Sequence, residues 1–306
     1  MRQVSERVIK FIVNPASGSG RTRKILPQLV SIAKKLGVNF DLQITKAPEH
    51  ATELANDIFD DFDVMVAVGG DGTVNEVAAG ALRSQKIVGV IPTGNGNDFA
   101  RALGRLKNLQ EYVHRVVSGK VKSIDTGALR IDNRELFFVN GVGVGFDAEV
   151  ARESLKVRHI KGISRYLYAV VKTLSKYKSS LMKIELAPDP SSGGSGMIEQ
   201  KTFLIAIGNG LSAGGGFLLT PNAVLDDGLL DTCIVSDVSI PRVLHLLPDV
   251  LNGTHGKHHE VTMTKMKRIR IQSETPVSIH RDGEVLLERL NDLAVQIIPG
   301  SLKIMA

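Results

Sequence analysis

The chain has 306 residues, 43% of them hydrophobic, with a formal net charge of +6. That is room for one large or two ordinary domains with real cores. A single cysteine, Cys233, excludes an internal disulfide framework and suits the cytoplasm. The opening "MRQVSERVIKFIV" has no signal-peptide pattern, and no run approaches the roughly 20 apolar residues of a membrane span. The modest positive charge permits nucleic acid, anionic lipid or polyphosphate as a partner without choosing among them.

The first third alternates strands and helices. "RVIKFIVN" (Arg7–Asn14) reads as a strand, followed by the turn "PASGSG" and a helix over 21–37. A second strand, Asn39–Thr45, leads into a helical stretch over 50–59. "DVMVAV" (Asp63–Val68) is short and Val-rich, as expected of a central parallel strand covered on both faces. "TVNEVAAGALR" (Thr73–Arg83) is a helix with Thr73 as its N-cap. A fourth strand, Lys86–Pro92, opens into "TGNGNDFARALG" (Thr93–Gly104). This alternation predicts a doubly wound parallel sheet.

Three strand ends, at Asn14, Gly69 and Thr93, then carry glycine- and polar-rich loops on one sheet edge. That edge is where open α/β sheets bind ligands, and bare N–H groups at a helix start suit phosphate. The aspartate inside "GGDGT" would repel phosphate unless a divalent cation lay between them, so the motif suggests Mg²⁺ and a nucleotide together. Neither GxxxxGK[ST] nor a true GxGxxG after the first strand is present.

From about Val121 the pattern becomes short strand-like runs divided by turns, among them "KSIDTGALRI", "RELFFVNGVGVG", "KTFLIAIGNG" and "PVSIHRDGE". They predict an antiparallel sandwich or partial barrel. "PDPSSGGSGMIE" (Pro188–Glu199) reads as a hairpin tip within this part. The tail "LAVQIIPGSLKIM" is strand-like. In "HIKGISRYLYAVVKTLSKYK" (His159–Lys178), Ile160, Ile163, Leu167, Val170, Val171, Leu174 and Tyr177 share one helical face. Lys161, Arg165, Lys172 and Lys176 share the opposite one, either a solvated face or a ridge toward anionic lipid.

Six motifs in order, "VNPASGSGR", "GGDGTVNEV", "PTGNGNDFARALG", "FFVNGVGVGFDA", "GGGFLLTPNAVLDDGLLD" and "HRDGE", resemble the diacylglycerol kinase and sphingosine kinase superfamily, in its soluble bacterial type. The resemblance implies an NAD-kinase-like α/β domain over 1–127, completed by 294–306, and a β-sandwich lipid domain over 128–293. It implies ATP in the cleft between them and transfer of its γ-phosphoryl group to a lipid hydroxyl, most simply that of diacylglycerol. A cytoplasmic enzyme, peripheral at an anionic membrane surface, follows from it, with no nucleic-acid partner and a homodimer as the default oligomer.

By the same resemblance Asn14, Pro15, Ala16, Ser17 and Gly18 contact ATP, as do Gly69, Gly70, Asp71, Gly72, Thr73, Val74 and Asn75. Thr45, Thr93, Gly94 and Asn95 shape that pocket. Asp71, Asp98 and Asp125 act on Mg²⁺ through water. Val224, Asp227 and Leu229 form a second, structural Mg²⁺ site, and Asp282 is the general base, supported or replaced by Glu284. Two positions depart from the pattern: Asn95 stands where many bacterial diacylglycerol kinases have Thr, and Arg281 where many have an apolar residue. Other acceptors (sphingoid base, ceramide, phosphatidylglycerol, polyprenol), an NAD kinase, and a non-catalytic nucleotide or lipid regulator are the alternatives.

Overall fold

The structure, a computed structural model, describes residues 7–56, 61–157, 160, 163–187, 196–286 and 288–306. It divides into two compact units, Met1–Ile124 with Gly300–Ala306, and Asp125–Pro299.

In unit 1, β1 (Val8–Val13), β2 (Asn39–Ile44), β3 (Val64–Gly69) and β4 (Ile87–Pro92) form a parallel sheet in the order β2-β1-β3-β4. β3 is buried at every position because β1 and β4 flank it and helices cover its faces. The connecting helices are α1 (Ser17–Lys35), α2 (His50–Ala55) and α3 (Asp71–Ser84), followed by α4 (Asp98–Ala102) and α5 (Leu109–Ser118). Thr73 is not the cap of α3. Gly70 is, in extended conformation, and Thr73 lies buried one turn in. The sequence placed no helix at α5, which is capped by Asn108, whose side chain accepts from Glu111 N.

In unit 2 the strands pair antiparallel in the order β14-β13-β7-β9-β8-β12-β15, with β10 and β11 branching from β9. They are β7 (Gly141–Gly145), β8 (Ser180–Ala187), β9 (Gly196–Gly208), β10 (Leu230–Ser236), β11 (Val261–Met266), β12 (Arg268–Val277), β13 (Ile279–Arg281), β14 (Glu284–Val285) and β15 (Leu290–Met305). β5 (Val121–Ile131) and β6 (Arg134–Phe138) make a further hairpin. Alternation sorts the residues: Ile205, Ile207 and Ile234 enter one core, whereas Leu204, Ala206, Cys233 and Val235 enter another under three helices, and a register shift turns Phe203 to that second core too. Residues 188–195 of the expected hairpin tip lie outside the described residues.

Those helices are α6 (Phe146–Leu155), α7 (Ile163–Leu174) and α8 (Ile240–Asn252). The sequence reading missed α6 and α8. α8 contains Pro241 and Pro248, and the first falls in the opening turn, where its missing N–H has no partner to lose. α7 ends at Leu174, short of the expected Lys178, and its buried stripe is rotated: Ala169, Val170 and Leu174 are buried, whereas Val171 is 61% exposed. Lys172 turns to Glu153 on α6, at 2.5 Å. His159 and Lys161 fall outside the described residues.

The end of β15 rejoins unit 1, with Ile304 in parallel register with Val88 of β4 and fully buried. Ile304→Ala should therefore destabilise unit 1 by about 2–5 kcal/mol, measured by urea denaturation; an unchanged midpoint would contradict a packed tail.

Candidate functional site

In unit 1 the loops meet at the carboxyl ends of the parallel strands. Asn14 N donates to Val68 O (3.0 Å), Thr45 N to Val13 O (2.8 Å) and Thr93 N to Gly69 O (2.7 Å). Asn14 Nδ2 donates to Thr73 Oγ1 (3.1 Å), and its Oδ1 accepts from Ala16 N (3.1 Å), closing the turn through Pro15. The Thr22 and Thr93 hydroxyls are 2.5 Å apart. Glycine permits this convergence. A Cβ on Gly94 would lie 2.5 Å from Gly70 Cα, and one on Gly18, at φ +60°, would lie 2.0 Å from Thr93 O.

The amide end of α3 thus opens beside Ser17, Gly69, Gly70 and Gly72, the arrangement that receives phosphate oxygens. Val74 and Asn75 are buried on α3, while Asn95 stands exposed at its loop tip. Asp71 Oδ1 accepts from Phe99 N (3.1 Å), drawing Asp71 toward the start of α4, where buried Asp98 lies 3.6 Å from Arg101. Beside the Thr93–Asn97 loop a cleft of ≈ 440 Å³ is lined by Arg21, Arg101, Arg105 and Lys107. The sequence reading had singled out none of these cations, since they are scattered along the chain and only the fold gathers them.

Unit 2 holds the other candidates. Asp282 is buried at φ 48°, and its carboxylate accepts three backbone N–H groups: Asn140 (2.9 Å) and Gly141 (2.8 Å) at Oδ1, Val139 (2.9 Å) at Oδ2. Burial pushes its pKa above the usual aspartate value, and the three N–H bonds only partly oppose this. A carboxylate has about four acceptor positions, so one remains, on Oδ2. Glu284 is exposed and pairs with Arg281 at 3.0 Å. Asn209 Nδ2 donates to Asp125 O (2.9 Å) and Val139 O (2.8 Å), binding the same loop from behind.

Two residues from Asp282, His280 Nε2 lies 2.7 Å from Asp147 Oδ2, and the Tyr166 hydroxyl bonds the other carboxylate oxygen. Burial alone would raise the Asp147 pKa, but His280 and Tyr166 hold it below the usual range. The sequence signal for this group was weak: one aspartate in "GFDA" and one histidine before "RDGE". Asp147 and Tyr166 also border a narrow apolar cavity of ≈ 70 Å³, walled by Phe146, Val170, Phe203 and Leu246. Cys233 lines it too, its thiol pushed up to about 12 by burial and therefore inert.

The Asp227 loop offers only hard oxygens, from one carboxylate and the Val224 and Leu229 carbonyls, the donor chemistry that Mg²⁺ takes with water completing its shell. Asp227 Oδ1 accepts from Leu229 N (3.0 Å), and Oδ2 accepts from Lys265 Nζ (2.7 Å), so an ammonium already shares this carboxylate. Asp125 belongs to unit 2 and holds the loop: its Oδ2 accepts from Gly228 N (2.7 Å) and its N–H donates to Leu225 O (2.6 Å). The residues fit a hard cation. Among the described residues there is no cluster of three or more His, Cys, Asp or Glu that would hold a metal by side chains alone.

Comparison with known proteins identifies the family. Residues 8–129 match the diacylglycerol kinase catalytic domain, and residues 140–306 match the YegS C-terminal NAD kinase beta sandwich-like domain. A diacylglycerol kinase of Staphylococcus epidermidis is 30% identical over 279 residues, covering 90% of this chain and 85% of that one. A diacylglycerol kinase of Mycobacterium tuberculosis is 28% identical over 301 residues, covering 97% and 94%. A crystal structure of a diacylglycerol kinase from Bacillus anthracis has the same fold, with a TM-score of 0.70 at 22% identity over 98% of this chain and 96% of that one. The chain belongs to the diacylglycerol kinase catalytic and YegS family, and it is a lipid kinase. Kinases of this family take ATP as co-substrate. Among the described residues no helix is long and apolar enough to cross a membrane.

Gly18→Ala tests the loop convergence, because it places a methyl group against the Thr93 carbonyl in a left-handed backbone conformation. It should cost about 1–3 kcal/mol of unit 1 stability and reduce the stabilisation that ATP confers in a thermal melt. Wild-type melting with and without ATP would show that the three loops do not form one site.

Proposed function

We propose that the protein phosphorylates the free hydroxyl of diacylglycerol to give phosphatidic acid. Asp282 carries this reading: it is a buried carboxylate, oriented by three backbone N–H groups and made more basic by burial, with one acceptor position left. Loops Asn14–Gly18, Gly69–Asn75 and Thr93–Asn95 of unit 1 hold the ATP phosphates by backbone donors. Asp282 accepts the proton as the lipid oxygen bonds the γ-phosphorus. The bond from that phosphorus to the β–γ bridging oxygen breaks, and ADP leaves with its electron pair. Positioning and charge neutralisation are what this reaction requires.

Mg²⁺ is the proposed metal. Val224, Asp227 and Leu229 would hold one ion that stiffens its loop, and Asp71 and Asp98 are the unit 1 carboxylates that would act on Mg²⁺ through water. When bound, Mg²⁺ neutralises phosphate charge. The apolar cavity behind Asp147 supports a substrate with aliphatic chains. At ≈ 70 Å³ it must widen to admit one, and α7 and α8 line it. Tyr168 and Val171 on the outer face of α7 are 48% and 61% exposed, and we assign peripheral membrane contact to them.

Four measurements check this. Radiolabelled ATP with a total lipid extract should label phosphatidic acid; label in NADP⁺ when NAD⁺ is supplied instead would replace the reading by NAD kinase. Asp282→Asn should lower kcat by roughly 10²–10⁴ with ATP affinity retained, and Glu284→Gln should lower it less; the reverse order would move the base to Glu284. Because burial raises the Asp282 pKa and the base acts only when ionised, kcat/KM should fall on the acid side at a pH above the ordinary aspartate value of about 3.9. An acid limb at or below that value would remove Asp282 from the chemistry. Finally, Mg²⁺ should raise the melting temperature of wild type more than that of Asp227→Ala; equal shifts would argue against a metal there.

A further inference from the structure

A second, polar cleft opens on unit 2, with ≈ 630 Å³ of space. α6 and its C-cap supply Arg152 and Lys156 to its lining, the end of α7 and the residues after it supply Lys172, Lys176 and Lys178, and Arg289 precedes β15. Six cations therefore face two carboxylates, Glu149 and Glu153. Both carboxylates are engaged: Glu149 with Arg289 at 2.6 Å, Glu153 with Lys172 at 2.5 Å and Lys156 at 2.9 Å. The bonds from Lys172 and Lys156 hold the Glu153 carboxyl below its usual pKa, so it stays ionised in that bridge.

The remaining cations have no such counterweight. Among the described residues Arg152 donates to neutral oxygens alone, Ser278 Oγ (3.4 Å) and Leu286 O (3.0 Å). Its Nε is buried without a hydrogen-bond partner among the described residues. Lys176 and Lys178 have no carboxylate partner among those residues either. A favourable helix dipole accounts for Lys172 and Lys176 near the end of α7. The α6 dipole likewise accounts for Arg152 in its last turn and Lys156 at its C-cap, but no helix dipole accounts for Lys178 and Arg289, which other segments bring to the same cleft. Like charges gathered around a concave surface focus a positive potential that favours an anion with several acceptor oxygens. An arginine fork among mobile ammonium groups suits a phosphate better than a single carboxylate.

We propose that this cleft is a binding site for a phosphate ester, held by Arg152, Lys176 and Lys178 within a rim of Lys156, Lys172 and Arg289. It goes beyond the kinase reading, since no step of phosphoryl transfer uses these residues. The ester is either the headgroup of an anionic phospholipid or a small soluble ester.

The test uses the full chain, with sn-glycerol 3-phosphate by calorimetry and phosphatidylcholine vesicles, with and without phosphatidic acid, by co-sedimentation. The variant Lys156→Gln, Lys178→Gln, Arg289→Gln removes three exposed cations of the cleft. A control, Arg130→Gln, Lys183→Gln, Lys201→Gln, removes the same charge from unit 2 outside it. Saturable glycerol phosphate binding that weakens about tenfold or more in the cleft variant alone supports the site with a soluble ester. A similar loss on phosphatidic acid vesicles alone, with the control unchanged, supports it with a lipid headgroup. Equal losses in both variants, or none in the cleft variant, overturn the proposal. Lipid kinase activity is assayed separately, so failure of one reading leaves the other measurable.

Discussion

The three backbone N–H bonds to the Asp282 carboxylate are the constraint around which unit 2 is arranged. They tie the turn between β13 and β14 to the loop between β6 and β7, and Asp282 N returns a bond to Gly141 O at 2.8 Å. Asn209 then fixes the far side of that loop and reaches Asp125 O, while Asp125 grips the Asp227 loop through Gly228. A chain of hydrogen bonds thus runs from the proposed base to the proposed metal loop. A buried carboxylate without those donors would carry an uncompensated desolvation cost. The same bonds explain why Asp282 tolerates a left-handed backbone at φ 48°.

Unit 1 achieves its convergence by a different device. Its loops approach through backbone rather than side chains, and the bare Gly70–Gly94 contact leaves no room for Cβ atoms. In the proposed reading backbone N–H groups are then left to face phosphate oxygens, while polar side chains such as Asn14, Thr22 and Thr93 lock the loops to one another. The unit supplies donors and position, and the reaction asks it for little covalent chemistry. Cations gathered beside it, Arg21, Arg101, Arg105 and Lys107, add charge that a polyphosphate needs.

The motifs of the proposed site were legible in the residues. "GGDGT" after a Val-rich run and "RDGE" in a turn are local signals, since glycine conformations and strand-to-helix turns depend on neighbours in sequence. The alternation of strands and helices in the first third was equally readable, because each strand's burial pattern repeats within a few residues. α8 was not, since prolines disfavour a helix unless one knows where its first turn begins. The rotation of α7 was not either: "RYLYAVVKTL" is apolar enough around its circumference to pack in more than one way, and α6 decides by offering Glu153 to Lys172.

By itself, then, the sequence determined the α/β pattern of unit 1, the strand character of most of unit 2, and the glycine and carboxylate motifs that mark a lipid kinase. These rest on spacing and backbone freedom, which are properties of short segments. Tertiary structure alone decided that Asp282 is buried and clamped, that His280, Asp147 and Tyr166 share one buried bond network, and that six scattered cations line a single cleft. Those facts join residues over a hundred positions apart. Burial, charge compensation and pKa depend on what the fold brings alongside, and no local pattern encodes that.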